Sequence, residues 1–93
     1  MTARDDRLRQ IGQRIACFRR QKHWTQAELA EQIHRGLSTV SRIERGRYNG
    51  TLPLDILIDM ADALDVRLFL FFLTKEDAAM MQERIVIPWA IEP

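Results

Sequence analysis

Apolar residues recur at helical spacing near the start of the chain. Leu8, Ile11, Ile15 and Phe18 follow one another at intervals of three, four and three residues, the spacing of one face of an α helix. The pattern predicts a first helix over about 5–21. Its opposite face is predicted to be rich in arginine, including Arg7, Arg14 and Arg20.

A second helix is predicted just after this one. Thr25 and Glu28 have the three-residue spacing of a capping box, in which each side chain bonds the other residue's backbone N–H. The helix is expected over about 26–33, and a break follows at 34–37. Gly36 lies in the break and supplies the permissive backbone that a tight interhelical turn uses.

A third, short helix is predicted beyond the turn. It is expected to begin near Leu37 or Ser38 and to end at Gly46, a C-terminal capping residue. Val40 and Ile43 lie at helical spacing and are expected in the core. Small polar and basic residues surround them, and such a helix suits insertion into a DNA groove.

The next two segments are strongly apolar. A fourth helix is predicted from the stripe Leu54, Leu57, Ile58, Ala61 and Leu64. Residues 66–73 read VRLFLFFL, and their aromatic content and brevity favour a strand over a helix. Either form would leave apolar surface uncovered, so this segment is predicted to lie at a dimer interface.

The chain therefore divides into a helical domain over 5–73 and a C-terminal extension over 74–93. Thr74 and Asp77 have the spacing of another capping box, which predicts a helix to about residue 84. The last nine residues, IVIPWAIEP, are predicted to be extended because Pro88 disfavours helix before it. They are apolar enough to pack on their own domain, on a dimer mate or on another protein.

Charge divides the chain into a basic first half and an acidic second half. Residues 1–50 carry 11 Arg and Lys against 5 Asp and Glu, a net of +6, whereas residues 51–93 carry 3 against 8, a net of −5. Nine of the eleven cations lie between Arg9 and Arg47. This asymmetry favours an anionic partner for the first half, and the positions favour phosphate contact.

Several other classes of function are disfavoured. No apolar run approaches the length of a spanning helix, and the charged N-terminus is unlike a signal peptide. A single cysteine, Cys17, favours a reducing, cytoplasmic location. No metal-like spacing joins it to His23 or His34, and no nucleophile–base pair or phosphate loop is recognisable. The sequence predicts no cofactor, no metal and no enzymatic activity.

Three stretches resemble the Cro/cI-type (XRE-like) helix-turn-helix family: IGQRIACFRRQKHWTQAELAEQI, STVSRIERGR and TLPLDILIDMADALDV. The resemblance covers about two thirds of the chain, from residue 11 to about residue 72. It implies a mainly α, lambda-repressor-like bundle of four or five helices with the third in the major groove of double-stranded DNA. It also implies a homodimer that binds a two-fold symmetric operator.

The family pattern gives roles to individual residues. Gln26 resembles a glutamine that binds a phosphate and orients the recognition helix. Ser38 and Thr39 match positions that touch base edges and phosphates, although Ser38 also suits helix capping. Arg42 can bind guanine bidentately or can contact phosphate alone.

The remaining candidates follow from the same resemblance. Glu44 is expected to be structural and to pair with an arginine of the first helix. The predicted DNA-backbone clamp after helix 3 comprises Arg45, Arg47, Tyr48 and Asn49, and the predicted DNA interface also includes Thr25, Arg35, Gly36, Leu37 and Ser41. The predicted dimer interface comprises Val66, Leu68, Leu70 and Phe72. One departure is visible: the family usually has glycine at the position of His34.

Three functions remain open at this point. The first is a transcriptional repressor. The second is an antitoxin that represses its own operon and binds a toxin protein, because 49–72 and Trp89 resemble the layout of HipB-type antitoxins. The third is a protein-interaction module that has lost DNA binding.

Overall fold

The described part of the chain is almost entirely helical. A computed structural model describes residues 2–48 and 51–81, and the predicted mainly α fold is confirmed. No strand occurs in these residues. The elements are α1 (Ala3–Gln21), α2 (Gln26–Gln32), α3 (Leu37–Glu44), α4 (Leu54–Leu64), a 3-10 turn (Leu68–Phe71) and α5 (Lys75–Met81).

Capping boxes begin three of the helices. At α2 the Glu28 backbone N–H donates to Thr25 Oγ1 at 3.1 Å, and the Thr25 N–H donates to Glu28 Oε1 at 2.8 Å. The predicted box at Thr74 and Asp77 is also present, at 3.0 and 3.3 Å. A third box, between Thr2 and Asp5, starts α1 and was not predicted from the sequence.

The turn between α2 and α3 differs from the prediction. His34, not Gly36, adopts the left-handed conformation, with φ of +57°. Gly36 has an ordinary φ of −75° and serves as the N-cap of α3, so the permissive backbone predicted for it is not used. The position at which the family usually has glycine is therefore left-handed in this chain, with histidine in it. Gly46 ends α3 as predicted, with φ of +71°.

The core lies where α1, α2, α3 and α4 meet. The predicted core residues Val40 and Ile43 are completely buried, as is Leu29 of α2, and Trp24 packs against the core at its edge. Phe71 from the 3-10 turn closes the core, and no part of its side chain is exposed. Its ring lies 6.1 Å from the Phe18 ring, centroid to centroid.

The strand predicted over 66–73 is wrong for this structure. Leu70 and Phe71 are neighbours in sequence and both are buried, whereas neighbouring side chains of a strand point to opposite faces. The 3-10 turn lets both side chains enter the same core. Leu70 therefore belongs to the core of its own protomer and not to the predicted dimer interface, while Phe69 and Phe72 are exposed.

The C-terminal extension is described only as far as α5. The predicted helix after Thr74 is confirmed through Met81, and its expected end near residue 84, the extended tail and Trp89 lie outside the described residues. The domain boundary at 73/74 stays a prediction. No described helix is both long enough and apolar enough to cross a membrane.

Candidate nucleic-acid interface

The outer face of α3 presents polar side chains to solvent. Val40 and Ile43 face inward and are completely buried, so the helix is anchored along one side. Ser38 and Arg42 lie one turn apart on the other side and are exposed. Arg42 makes no ion pair with any residue in the described ranges. The helix therefore offers a hydroxyl and a guanidinium on one exposed face, and both can bind base edges.

The start of α3 has no side-chain cap. Its N-cap is Gly36, which cannot supply a side-chain acceptor, and Ser38 lies inside the helix. The capping role considered for Ser38 is therefore wrong, and its hydroxyl makes no capping bond. The first N–H groups of a helix carry a partial positive charge that favours a nearby anion. Exposed Leu37 covers this end only in part, with half of its surface in solvent.

A buried polar network fixes the far end of α3. Arg19 Nε and Nη2 donate to the two carboxylate oxygens of Glu44 at 2.7 and 3.0 Å, and Arg19 Nη1 donates to the Trp24 carbonyl at 2.7 Å. Gln26 Nε2 donates to Glu44 Oε1 at 2.9 Å. The predicted pairing of Glu44 with an arginine of the first helix is confirmed, and the partner is Arg19.

Gln26 contacts α3 through this network. Its side chain is half-buried at the start of α2, and its amide carries two hydrogens. One hydrogen is donated to Glu44, and the second remains for another acceptor. The predicted orienting role therefore has a structural basis in the Gln26–Glu44 bond, and the predicted phosphate contact stays a prediction.

Two glycines bring α1 and α3 into backbone contact. A Cβ atom on Gly12 would overlap the backbone carbonyl oxygens of Ile43 and Glu44. A Cβ on Gly46 would lie 2.7 Å from the Arg9 backbone nitrogen. This close approach sets the position of α3, and the sequence analysis did not identify it.

Basic residues surround the end of α3. Arg45 and Arg47 are exposed, Arg45 Nε donates to the Ser41 carbonyl at 3.3 Å, and Tyr48 is half-buried against the core. Arg35, in the turn before α3, pairs with Asp55 at 3.6 Å. The predicted backbone clamp is thus brought together as far as Tyr48, and Asn49 lies outside the described residues. Thr25 is the N-cap of α2, and Thr39 and Ser41 lie within α3.

Two of the nine cations assigned to phosphate contact are buried. Arg14 and Arg19 are 5% and 9% exposed, so the prediction that Arg14 lies on an exposed arginine-rich face is wrong. Burial lowers the pKa of the Arg14 guanidinium, although an arginine remains charged at neutral pH. Arg14 lies three residues after Ile11 and four before Phe18, which places it on the apolar side of α1. Neither guanidinium is available to DNA.

Comparison with known proteins agrees with this geometry. Residues 18–71, more than half of the chain, match the model of a helix-turn-helix family. The chain is also similar to the crystal structure of the hypothetical transcription factor NHTF from Neisseria, with a TM-score of 0.72 and 31% identity, over 83% of this chain and 87% of that chain. No curated protein matches it. The family match runs from the end of α1 to the 3-10 turn and contains the whole candidate interface.

Proposed function

We propose that this chain, which belongs to the XRE-type helix-turn-helix family, is a transcriptional regulator that binds double-stranded DNA in the cytoplasm. The observation that carries the proposal is the exposed polar face of α3, held in place by the buried Arg19–Glu44–Gln26 network. A helix that contacts bases must be rigid, because its side chains have to be held within about half an ångström of the geometry that makes the contacts. We infer that the protein acts as a repressor at a palindromic operator.

In the proposed complex, α3 lies in the major groove. Ser38, Thr39 and Arg42 contact base edges, and Arg42 is placed to bind a guanine through O6 and N7. The remaining interface residues lie against the DNA backbone, where Gln26 and the clamp after α3 bind phosphates and set the register without reading sequence. These residues are Thr25, Gln26, Arg35, Gly36, Leu37, Ser41, Arg45, Arg47, Tyr48 and Asn49.

Replacement of Arg42 tests the reading role. Arg42→Ala is expected to weaken binding to the operator by about 1–3 kcal/mol, or roughly 5- to 150-fold, with the loss confined to duplexes that carry the cognate base pair. Anisotropy titration against operators mutated one base pair at a time measures this. The matched control is Arg4→Ala, which removes the same charge from an exposed site in the first turn of α1. An equal loss on every duplex would make Arg42 a phosphate contact.

The proposed homodimer is supported by apolar surface around the 3-10 turn. Phe69 and Phe72 are 41% and 43% exposed, and half-buried Val66 and Leu68 lie beside them in sequence. Two exposed phenylalanines within four residues are costly in a lone protomer. A two-fold contact through them would cover the surface and would present two copies of α3 to two half-sites.

Loss of these rings is expected to dissociate the dimer. Phe69→Asp with Phe72→Asp should give a monomer by light scattering, because the charges would be buried in the contact without partners. The fold should persist, since neither phenylalanine belongs to the hydrophobic core. Ile58→Asp, at an exposed apolar site on α4, is the control and should remain dimeric. A double variant that stays dimeric would place the contact elsewhere.

The alternative proposal is an antitoxin that also binds a toxin protein. It is supported by the sequence layout over 49–72 and by the apolar tail with Trp89. It predicts a toxin-like kinase reading frame beside this gene, and it predicts that deletion of residues 85–93 leaves DNA binding intact. A pure regulator requires neither.

A further inference from the structure

A surface cleft lies between the first half of α1 and the end of α3. It has a volume of about 470 Å³ and is lined by Arg9, Gln13, Glu44, Arg45 and Arg47. We call it the α1–α3 cleft. Two of its lining residues, Arg9 and Gln13, come from α1, and neither has been given a specific contact with DNA above. They lie four residues apart and therefore project from the same side of α1.

The shape of the cleft is set by backbone packing. The Cα of Gly46 approaches α1 so closely that a Cβ would lie 2.7 Å from the Arg9 nitrogen and 2.8 Å from its Cα. Gly12 packs in the same way against the carbonyl groups at the end of α3. Arg9 and Gln13 are therefore held at a fixed distance from Arg45 and Arg47, and no loop movement is needed to bring them together.

The cleft is strongly positive. Three of its five lining residues are arginines, and among the described contacts Arg9 pairs with Asp6 at 2.6 Å in an exposed position. Glu44 does not neutralise the cleft, because its carboxylate is engaged by Arg19 and Gln26 and its side chain is only 4% exposed. Exposed ion pairs are weak and exchange readily. An incoming anion can therefore displace Asp6 from Arg9.

We propose that the α1–α3 cleft binds one backbone phosphate of the DNA, with Arg9 and Gln13 as phosphate ligands supplied by α1. The inference rests on the proposed function. The proposed base-reading residues lie in the first two turns of α3, so the end of the helix points away from the bases and towards the DNA backbone. Guanidinium and amide N–H groups are both suitable donors to a phosphodiester.

The test is the salt dependence of operator binding. Arg9→Gln should reduce the slope of log K against log salt by about 0.9, the loss of one phosphate contact, and should weaken binding equally on all duplexes. Arg7→Gln is the matched control, since Arg7 is exposed on the same helix, carries the same charge and does not line the cleft. Its slope should equal that of the wild type. Melting curves of both variants verify that they fold.

Ethylation interference gives a second readout. A single ethylated phosphate beside the bases read by α3 should weaken binding of the wild type strongly. The same ethylation should weaken binding of Arg9→Gln by a smaller factor, because one of the groups that contact this phosphate is already absent. Equal slopes for the Arg9 and Arg7 variants, or an unchanged interference pattern, would overturn the phosphate site while leaving the proposed function standing. A wild-type protein that binds no duplex at low salt would overturn both.

Discussion

Arg19→Met is expected to destabilise the protein by about 3–5 kcal/mol, the largest effect of any single substitution considered. The change leaves the Glu44 carboxylate buried with Gln26 as its remaining partner among those described, and it also removes the donor to the Trp24 carbonyl. Breaking a buried ion pair from one side costs this much because the other charge stays uncompensated. The free energy of unfolding of a small domain is only about 5–15 kcal/mol in total. Urea unfolding followed by circular dichroism should therefore show a midpoint at a much lower urea concentration than for the wild type.

A second ion pair provides the control. Arg9 and Asp6 lie 2.6 Å apart, as close as Arg19 and Glu44, but their side chains are 42% and 60% exposed. Arg9→Met should therefore cost less than about 1 kcal/mol. The double variant Arg19→Met with Glu44→Met should be more stable than Arg19→Met alone, because it removes both charges. Equal losses for Arg19→Met and Arg9→Met would contradict the account of the buried network.

Gly12→Ala is expected to destabilise the protein by about 2 kcal/mol, the upper overpacking cost less the gain from replacing a helical glycine. The added Cβ overlaps two backbone carbonyl oxygens of α3, and backbone atoms cannot rotate away as a side chain can. Overpacking of this kind costs about 1–3 kcal/mol or more, which exceeds the gain of roughly 1 kcal/mol from replacing a glycine inside a helix. This overlap can be relieved only if α3 moves away from α1. DNA binding should therefore weaken together with stability. Thermal unfolding and operator titration of the same sample measure the two effects.

Gly36→Ser serves as the matched control for that prediction. A Cβ at Gly36 meets only the Ser38 Oγ, at 3.9 Å, and the backbone φ is ordinary. Serine is a good N-cap, so stability should change by only a few tenths of a kcal/mol, in the stabilising direction. A Gly12→Ala protein as stable as this control would mean that the close contact between α1 and α3 is not required.

Local signals in the sequence were sufficient for most of the fold. The spacing of Leu8, Ile11, Ile15 and Phe18 predicted α1, and the boxes at Thr25 and Thr74 located the starts of α2 and α5. Residues 66–73 were predicted incorrectly because their β propensity is local, whereas the 3-10 turn is decided by how Leu70 and Phe71 fill the core together. Such packing depends on partners that are distant in sequence.

The candidate site was predicted less completely, for a related reason. The outer residues of α3 and the Glu44 pairing follow from the motif, but the choice of Arg19 as partner depends on how α1 crosses α3. Gly12 gave a usable signal, since it lies at helical spacing from Ile15 and Arg19 on the buried side of α1. No sequence signal predicted the α1–α3 cleft, because it brings together residues of α1 and of the end of α3 that are more than thirty positions apart.

The central claim, that α3 reads a DNA sequence, is tested most directly by anisotropy titration at several salt concentrations. The wild-type protein is titrated against the palindromic repeats upstream of its own gene and against random duplexes of equal length. The account predicts tight binding of two protomers to one such repeat, weaker binding to random DNA, and affinities that fall steeply with salt. Absence of binding to every duplex at low salt would contradict it.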